Sequence, residues 1–514
     1  MKRCALLYWF LWFLIVSVVV DEARINTISS AEKVLWKLKS GVDPEVYQNI
    51  TEIISSKGYK FEEHYVTTED GFILCVIRIL PKCHEASGRQ KVVFLQHGLL
   101  DSAHTWVNNL PDESLGFILA NNCYDVWLGN SRGSTYSSNH QYLTPDDKEF
   151  WEFSWDEMGK YDLPATLMYV LNHTDAEKLS YIGHSQGCQI ALACFDEHPI
   201  IQSFIDLFIA LAPAAYLGSI KSPIRYIAPF VKTVEPVVEW FGNGEFLPSG
   251  KIMQFLALFL CKPHRIPFVC SNIMYLLAGY DSKNTNVSRL PIYVAHTPAG
   301  TSVQNMVHYC QGIVTDRFQK YDYGLIKNLQ IYNQSYPPLY NISQLKLPII
   351  IYYGGQDWLA SYRDIHKLIK QINYTIRSTH YFPDYNHLDF VWGLNAAKLL
   401  YPLILEQLSR SKLHAASSVP NQITSSSAHN NNNAFTSFIH SRFHEFKSAK
   451  PELSNFDVIK KLAQLYKSLP VEEVEKLKSE AKEQQYYVKK ATKVIFLTIY
   501  SFDLSLFDLF SERN

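Results

Sequence analysis

A serine flanked by glycines, at the junction of an apolar run and a helical pattern, constrains this chain more than any other feature. The run Leu179–Ile182 leads into Gly183-His184-Ser185-Gln186-Gly187, and residues 188–193 follow a helical pattern. Glycines two residues on either side of a serine let neighbouring backbone approach a sharp strand-to-helix turn. An ordinary glycine-containing turn could carry the same letters, but the strand–turn–helix context favours a nucleophile elbow with Ser185 as the nucleophile.

Other apolar runs of strand length alternate with helical lengths around this turn. A hairpin with its turn at residues 69–71 is expected from Glu62 to Leu80, and a polar helical segment is expected over 24–60. The later runs are Val92–Gln96, Asp125–Leu128, Leu207–Leu211 and Ile349–Tyr353. This alternation predicts an α/β fold with a mostly parallel central sheet flanked by helices on both faces. A segment of about 216–340 has little strand character and would form a helical cap or lid in a hydrolase.

The N-terminus has the composition of a secretory signal. Lys2 and Arg3 precede an apolar run from Ala5 to Val20, which Asp21 and Glu22 end. A basic start followed by a short apolar run predicts a signal peptide over residues 1–22. The run is short for a membrane span, which needs about 20 residues, but the cleavage region is poor, so an uncleaved anchor is the alternative.

Sequons and cysteines agree with passage through the secretory pathway. Eight cysteines lie between residues 75 and 310, and Cys261 and Cys270 flank a short segment. These two are the favoured disulfide, with two buried thiols as the alternative, and the other pairings are open. The candidate glycosylation sites are the six N-x-S/T asparagines Asn49, Asn172, Asn286, Asn333, Asn341 and Asn373.

Acyl transfer by a serine needs an acid that orients the base, and in this fold the acid follows the serine in the chain. Asp357 ends a glycine turn directly after the run Ile349–Tyr353. The carboxyl ends of parallel strands are where such sheets place function, so Asp357 is the predicted acid. A helix-capping role is the alternative, and Asp364 and Asp384 are rivals less well placed after a strand.

The base is expected after the acid, in a loop that follows the last strand. His387 lies between the short run His380–Phe382 and a helical pattern, and a histidine there could reach Ser185. A surface loop histidine is an equal alternative on position alone. His366, in a helical stretch, and His380, in the strand-like run, are worse candidates.

Two backbone N–H groups are expected to bind the oxyanion. One belongs to the residue after the nucleophile, Gln186, and the other to the loop after an early strand. The run Val92–Gln96 is followed by His97-Gly98-Leu99, so the Leu99 N–H is the second candidate. A plain strand-ending turn is the alternative at this loop. This chemistry needs no cofactor and no metal, and no clustered metal-ligand spacing points to one.

Eight stretches in order over about residues 40–405 resemble the acid lipase family, the gastric and lysosomal acid lipase group of α/β hydrolases. They are VTTEDGFIL (66–74), QHGLLDSAHTWV (96–107), DVWLGNSRGSTYS (125–137), FWEFSWDEMGKYDLPA (150–165), YIGHSQG (181–187), HTPAGTSVQNMVHYCQ (296–311), YYGGQDWLA (352–360) and YNHLDFVWG (385–393). The resemblance implies Ser185, Asp357 and His387 as a triad and Leu99 and Gln186 as oxyanion donors. It also supports a Cys261–Cys270 disulfide in the cap.

The resemblance further implies esters of long-chain acids, such as triacylglycerol or cholesteryl ester, at a lipid–water interface. The cap run Ile252–Leu260 could cover an acyl-binding cleft, although on its own it is better explained as cap core. A small-ester esterase or an acyltransferase is the alternative enzyme. No obligatory protein partner is evident, and residence is expected to be secreted or lysosomal.

The last hundred residues differ from the predicted hydrolase domain, 23–409. Residues 410–433 are dominated by Ser, Ala, Asn and His, which is typical of a disordered linker. Residues 434–493 have helical spacing and resemble an HMG box, with Tyr466 in place of the usual tryptophan. Nucleic acid is a partner only if this resemblance is real, because the net charge of −1 gives no global attraction to it. A solvated helical hairpin is the alternative, and a gene-model fusion would explain such a DNA-binding module. The apolar tail 494–514 has no assigned role.

Overall fold

The computed structural model of the chain describes residues 43–83, 90–231, 244–247, 275, 277–280 and 284–417, together with Lys461 and Leu465. The predicted signal 1–22, the pair Cys261 and Cys270, and the run Ile252–Leu260 lie outside these residues. The chain divides into two compact units, 1–416 and 417–514. The hydrolase elements all belong to the first unit.

A mixed sheet of nine strands forms the centre of the described part of the first unit. In chain order the strands are β1 (Phe61–Thr67), β2 (Phe72–Ile79), β3 (Val92–Gln96), β4 (Asp125–Gly129), β5 (Asn139–His140), β6 (Leu179–His184), β7 (Ile205–Leu211), β10 (Ile349–Gly354) and β11 (Ile376–Phe382), while β8 (Glu245–Phe246) and β9 (Thr301–Ser302) form a separate pair. The spatial order is β1-β2-β4-β3-β6-β7-β10-β11, with β5 beside β2. Neighbours from β4 to β11 run parallel, and β1, β2 and β5 pair antiparallel.

Helices connect and flank these strands. The α-helices are α1 (Ile50–Ser56), α2 (Leu115–Asn121), α3 (Trp155–Glu157), α4 (Leu163–Thr174), α5 (Gln186–Glu197), α6 (Leu290–His296), α7 (Val303–Thr315), α8 (Leu325–Tyr332), α9 (Tyr362–Gln371), α10 (Asp389–Trp392), α11 (Ala396–Leu399) and α12 (Tyr401–Ser417). A π-helix, Met158–Asp162, joins α3 to α4. Nowhere in the described ranges does a helix have both the length and the apolar character needed to cross a bilayer.

The predicted strands are confirmed, and the hairpin turn lies at residues 68–71 between β1 and β2. Every residue of β3, β4 and β6 is buried, which explains why these strands are continuous apolar runs rather than alternating ones. The helical expectation for 24–60 is confirmed only in part. Between residues 43 and 60 the helical elements are a 3-10 turn, Pro44–Val46, and helix α1.

Arg132 ties the β1–β2 turn to the start of α4. Its guanidinium is buried and donates to both carboxylate oxygens of Asp70, at 2.6 and 2.9 Å, and to Asp162 Oδ1, at 2.6 and 2.9 Å. A buried arginine with two carboxylate partners has its charge compensated and its donors used. This arginine therefore fixes the hairpin against the body of the sheet.

A disulfide joins Cys83, just after β2, to Cys123, just before β4, and closes a separation of 40 residues. The sequence left this pairing open. Five of the six sequon asparagines are exposed and Asn286 is half-buried. Surface position is what glycosylation requires, so all six stay predicted sites.

The C-terminal elements agree only partly with the expected linker. Helix α12 continues to Ser417, so residues 410–417, expected as the start of the linker, are helical. Beyond α12, the described residues of the second unit are Lys461 and Leu465, and each is in helical conformation. The HMG-box-like module otherwise lies outside the described residues, and it stays a prediction, as do DNA binding and the gene fusion.

Candidate active site

Ser185 lies at a sharp turn between β6 and α5. Its backbone has φ 53° and ψ −114°, a left-handed conformation that residues other than glycine rarely adopt. Strain of this kind is typical of functional positions, where the surrounding structure holds it in place. The strand and the helix are both buried, so they hold the serine in this conformation.

The two glycines of the motif are required by close backbone contacts. A Cβ on Gly187 would lie 2.4 Å from the carbonyl oxygen of Gln96, at the end of β3. A Cβ on Gly183 would lie 2.8 Å from the backbone nitrogen of Cys188. Any side chain at either position would therefore push α5 away from the sheet, which explains the G-x-S-x-G spacing.

The three residues expected to form a triad are hydrogen-bonded in sequence. His387 Nε2 lies 2.7 Å from Ser185 Oγ, and His387 Nδ1 lies 2.8 Å from Asp357 Oδ2. All three side chains are buried. Asp357 follows β10 and His387 follows β11, so parallel strands deliver both to the carboxyl edge at which β6 delivers Ser185.

The acid and the base are themselves fixed by backbone contacts. Asp357 Oδ1 accepts from the N–H groups of Leu359 and Ala360 at 2.8 and 2.7 Å, so its other oxygen is left for His387. The His387 N–H donates to the carbonyl of Ala278 at 3.3 Å. The expected insertion therefore returns to the site and supports the loop that carries the base.

The rival acids and bases are engaged elsewhere. Asp364 accepts from the Ser219 N–H, and Asp384 is exposed. His366 lies 3.4 Å from the Tyr353 hydroxyl, and His380 lies 3.0 Å from the Ser378 hydroxyl, with its ring stacked on Tyr352. The structure brings none of these four into hydrogen bonding with Ser185.

The loop after β3 lies against the nucleophile. A Cβ on Gly98 would be 3.1 Å from Ser185 Cβ, so the loop that carries Leu99 passes close to the predicted nucleophile. His97 shapes this loop: its Nδ1–H donates to the Gly98 carbonyl at 2.8 Å, and its Nε2 accepts from the Ser131 N–H at 3.0 Å. Burial lowers the pKa of His97 to about 4, so the ring is neutral and this tautomer persists.

Gln186 begins helix α5. The first N–H groups of a helix have no carbonyl one turn earlier to bond, and they carry partial positive charge. Its side-chain amide donates to Asn305 Oδ1 at 3.1 Å, and the Asn305 N–H in turn donates to the Ser302 hydroxyl. This contact with α7 fixes the first turn of the helix beside Ser185.

A second buried histidine supports the base. His184, directly before the nucleophile, donates from Nε2 to the His387 carbonyl at 2.9 Å. Burial, with the nearby His387 ring, lowers the pKa of His184 to about 3, so it is a neutral donor. The sequence placed His184 inside the motif but gave no sign of its bond to His387. The same is true of the bonds made by His97 and Asn305, because their partners come from distant segments of the chain.

Beside the oxyanion loop is a buried carboxyl group, Asp101. Its Oδ1 accepts from the Ser102 N–H at 2.8 Å and from the Thr297 hydroxyl at 3.1 Å. Burial raises the pKa of Asp101 to about 6. This loop is thus bonded to the segment just after α6.

Comparison with known proteins agrees with the fold. Residues 50–110 match the family described as a partial alpha/beta-hydrolase lipase region, and residues 91–394 match the alpha/beta hydrolase fold. Over 388 residues the chain is 42% identical to human lysosomal acid lipase/cholesteryl ester hydrolase, covering 73% of this chain and 96% of that protein. It is 43% identical to human gastric triacylglycerol lipase over 391 residues, covering 76% of this chain and 97% of that protein. The chain belongs to the acid lipase family of α/β-hydrolase-fold ester hydrolases.

Proposed function

We propose that this protein is a serine lipase, which hydrolyses carboxylic esters of lipids through an acyl-enzyme on Ser185. The observation that carries the proposal is the hydrogen-bonded chain from Ser185 through His387 to Asp357, at 2.7 and 2.8 Å. The strained backbone of Ser185 supports it, because the turn presents the hydroxyl at the carboxyl edge of the sheet.

In the acylation step Ser185 Oγ attacks the ester carbonyl carbon while His387 Nε2 takes the hydroxyl proton. Asp357 holds the ring so that Nε2 faces the serine, and it stabilises the imidazolium that forms. The N–H groups of Leu99 and Gln186 bind the tetrahedral oxyanion. When the carbon–oxygen bond to the alcohol breaks, His387 returns the proton to the leaving oxygen.

Deacylation repeats these steps with water as the nucleophile. His387 takes a proton from water, the hydroxyl oxygen attacks the acyl carbon, and Ser185 Oγ leaves with the proton from His387. The products are the free acid and the regenerated serine. His387 therefore accepts and returns one proton in each half of the cycle.

The proposed substrates are triacylglycerol and cholesteryl ester at a lipid–water interface. The names of the two human relatives, a cholesteryl ester hydrolase and a triacylglycerol lipase, support this choice. A small-ester esterase and an acyltransferase use the same triad, so substrate size and acceptor distinguish these activities from a lipase.

The proposed route is the secretory pathway, to an extracellular or lysosomal compartment. Three observations support it: the basic and apolar start of the chain, the exposed sequons, and the Cys83–Cys123 disulfide. Disulfides persist in oxidising compartments. One relative is named as lysosomal, which supports the second of the two compartments.

Ester hydrolysis by the purified full-length protein tests the proposal. Emulsified long-chain triacylglycerol and cholesteryl ester are compared with a soluble short-chain ester, using Ser185→Ala and the matched control Ser203→Ala, which replaces an exposed serine. We expect turnover of the emulsions by wild type and by the control, and a loss of roughly 10⁶-fold in Ser185→Ala. Unchanged hydrolysis by Ser185→Ala would contradict the mechanism, and hydrolysis of the soluble ester alone would contradict the substrate class.

A further inference from the structure

The edge of the sheet farthest from β11 gathers three side chains that the proposed reaction does not use. Glu62 and His64 lie on β1, and His173 lies in the last turn of α4. Their candidate ligand atoms all lie within 4.8 Å of one another. We call these three residues the β1–α4 cluster.

We propose that the β1–α4 cluster binds one zinc ion, with water as a fourth ligand. Two histidines and one glutamate are a common zinc-binding set. A tetrahedral ion with bonds of about 2.0–2.1 Å places its ligand atoms about 3.3–3.4 Å apart. In the structure Glu62 Oε2 lies 3.2 Å from His64 Nε2 and 3.8 Å from His173 Nε2, and the ligand atoms of the two histidines lie within 4.8 Å of each other. Two of the three spacings are therefore close to those of a zinc site, and the two histidine rings would move together on binding.

Neighbouring groups already orient the ring of His64. Its Nδ1 lies 3.0 Å from the Tyr169 hydroxyl, and its ring packs against Trp127 with centroids 4.8 Å apart. A tyrosine hydroxyl can donate or accept. When Nδ1–H donates to it, Nε2 has a free lone pair directed towards Glu62 and His173. Such outer contacts fix ring and tautomer at metal sites.

The local charge also suits a divalent cation. Arg78 donates to Glu62 Oε2 at 2.8 Å, which would oppose a cation, but it also binds both oxygens of Asp125 at 2.8 and 2.7 Å. Asp125 therefore neutralises the positive charge of Arg78, and the negative charge of Glu62 remains to compensate part of the charge of the zinc ion. When Oε2, the oxygen near both histidines, binds the ion, Oε1 can accept the hydrogen bond from Arg78, since a carboxylate can use either oxygen.

An ion here would join the edge strand β1 to helix α4. Three strands, β2, β4 and β3, separate β1 from β6, so the cluster lies roughly 19 Å from the strand that delivers Ser185, at about 4.8 Å for each strand spacing. The zinc would thus stabilise the edge of the sheet and take no part in ester hydrolysis. Failure of this proposal and failure of the proposed function are consequently distinguishable.

Calorimetric titration of the purified full-length protein with Zn²⁺ alone, at about pH 7.5 where unperturbed histidines are neutral, tests the proposal. We expect wild type to bind one saturable ion that His173→Gln does not bind. The control His366→Gln also replaces an exposed helical histidine, and it should bind as wild type does. Tyr169→Phe, which removes the outer contact, should weaken binding by about 10–100-fold.

Because the His173 side chain is 39% exposed, its replacement should leave the fold intact, and retained ester hydrolysis by His173→Gln verifies this. Zinc should also raise the unfolding temperature of wild type but not of that variant. The proposal is overturned if wild type binds no zinc, or if His173→Gln binds it with the same stoichiometry and affinity. In the latter case the three residues form an ion-pair network only.

Discussion

Replacing Asp357 by asparagine tests how the acid controls the base. Asparagine has the same shape, and its Oδ1 can still accept from the Leu359 and Ala360 N–H groups. Its amide nitrogen then faces His387 Nδ1 in place of a carboxylate oxygen. An amide N–H can only donate, so Nδ1 must accept, and the ring proton moves to Nε2. The ring then cannot take the proton of Ser185.

The expected result is a fall in kcat of about 10⁴-fold, which corresponds to about 5.5 kcal/mol in the barrier. Hydrolysis of a long-chain ester emulsion measures it, and circular dichroism and thermal unfolding verify the fold. Asp384→Asn is the matched control, since it replaces an exposed rival acid and should leave kcat unchanged. A kcat within tenfold of wild type for folded Asp357→Asn would refute the assigned role of the acid.

Four further perturbations follow from the same structure. Gly187→Ala places a Cβ 2.4 Å from a backbone oxygen of β3, so we expect about a 10²-fold loss of ester hydrolysis as the elbow shifts. Arg132→Met leaves Asp70 and Asp162 without their positively charged partner. We expect the free energy of unfolding, measured by urea titration, to fall by about 3–5 kcal/mol. Removing the Cys83–Cys123 bond by two serine substitutions should lower the free energy of unfolding by about 4 kcal/mol, from the separation of 40 residues. Burial raises the pKa of Asp101 to about 6, so the native carboxyl is protonated at a pH where the unfolded one, with a pKa of about 3.9, is not. Wild type should therefore lose about 2 kcal/mol relative to Asp101→Asn as pH rises from about 4 to 6, measured by urea titration at each pH.

Each of these four has an outcome that contradicts it. Full activity of Gly187→Ala would mean that the close approach at the elbow is not required. Equal unfolding midpoints with and without the arginine, or with and without the disulfide, would remove those contacts from the account of stability. A constant difference between Asp101→Asn and wild type across pH 4 to 6 would show that this carboxyl does not titrate in that range.

The sequence predicted the centre of the sheet well because β3, β4 and β6 are buried on both faces. Val92–Gln96 is bounded as predicted, and the elbow lies where its glycines indicated. Ser185 and Asp357 could be proposed from the sequence because each comes within three residues of the end of a strand, whereas His387, five residues after β11, was on position alone no better than a surface loop histidine and rested on the family resemblance. For the same reason the rivals in a helix or within a strand could be ranked lower.

Contacts between distant segments could not be predicted. Cys83 and Cys123 have no spacing that marks them as a pair, and they meet only because β2 and β4 are neighbours in the sheet. His97 contacts Ser131 for a similar reason, since β3 and β4 are adjacent. The β1–α4 cluster likewise depends on α4 packing against β1, over a separation of about a hundred residues that no motif records.

Covalent labelling can establish whether Ser185 is the nucleophile of ester hydrolysis. A long-chain alkyl fluorophosphonate reacts with the purified full-length protein, and mass spectrometry of its peptides locates the adduct. We expect one adduct per chain, on Ser185, formed in step with the loss of ester hydrolysis and greatly slowed in His387→Gln. An adduct on another residue, or hydrolysis that continues after Ser185 is fully labelled, would contradict it.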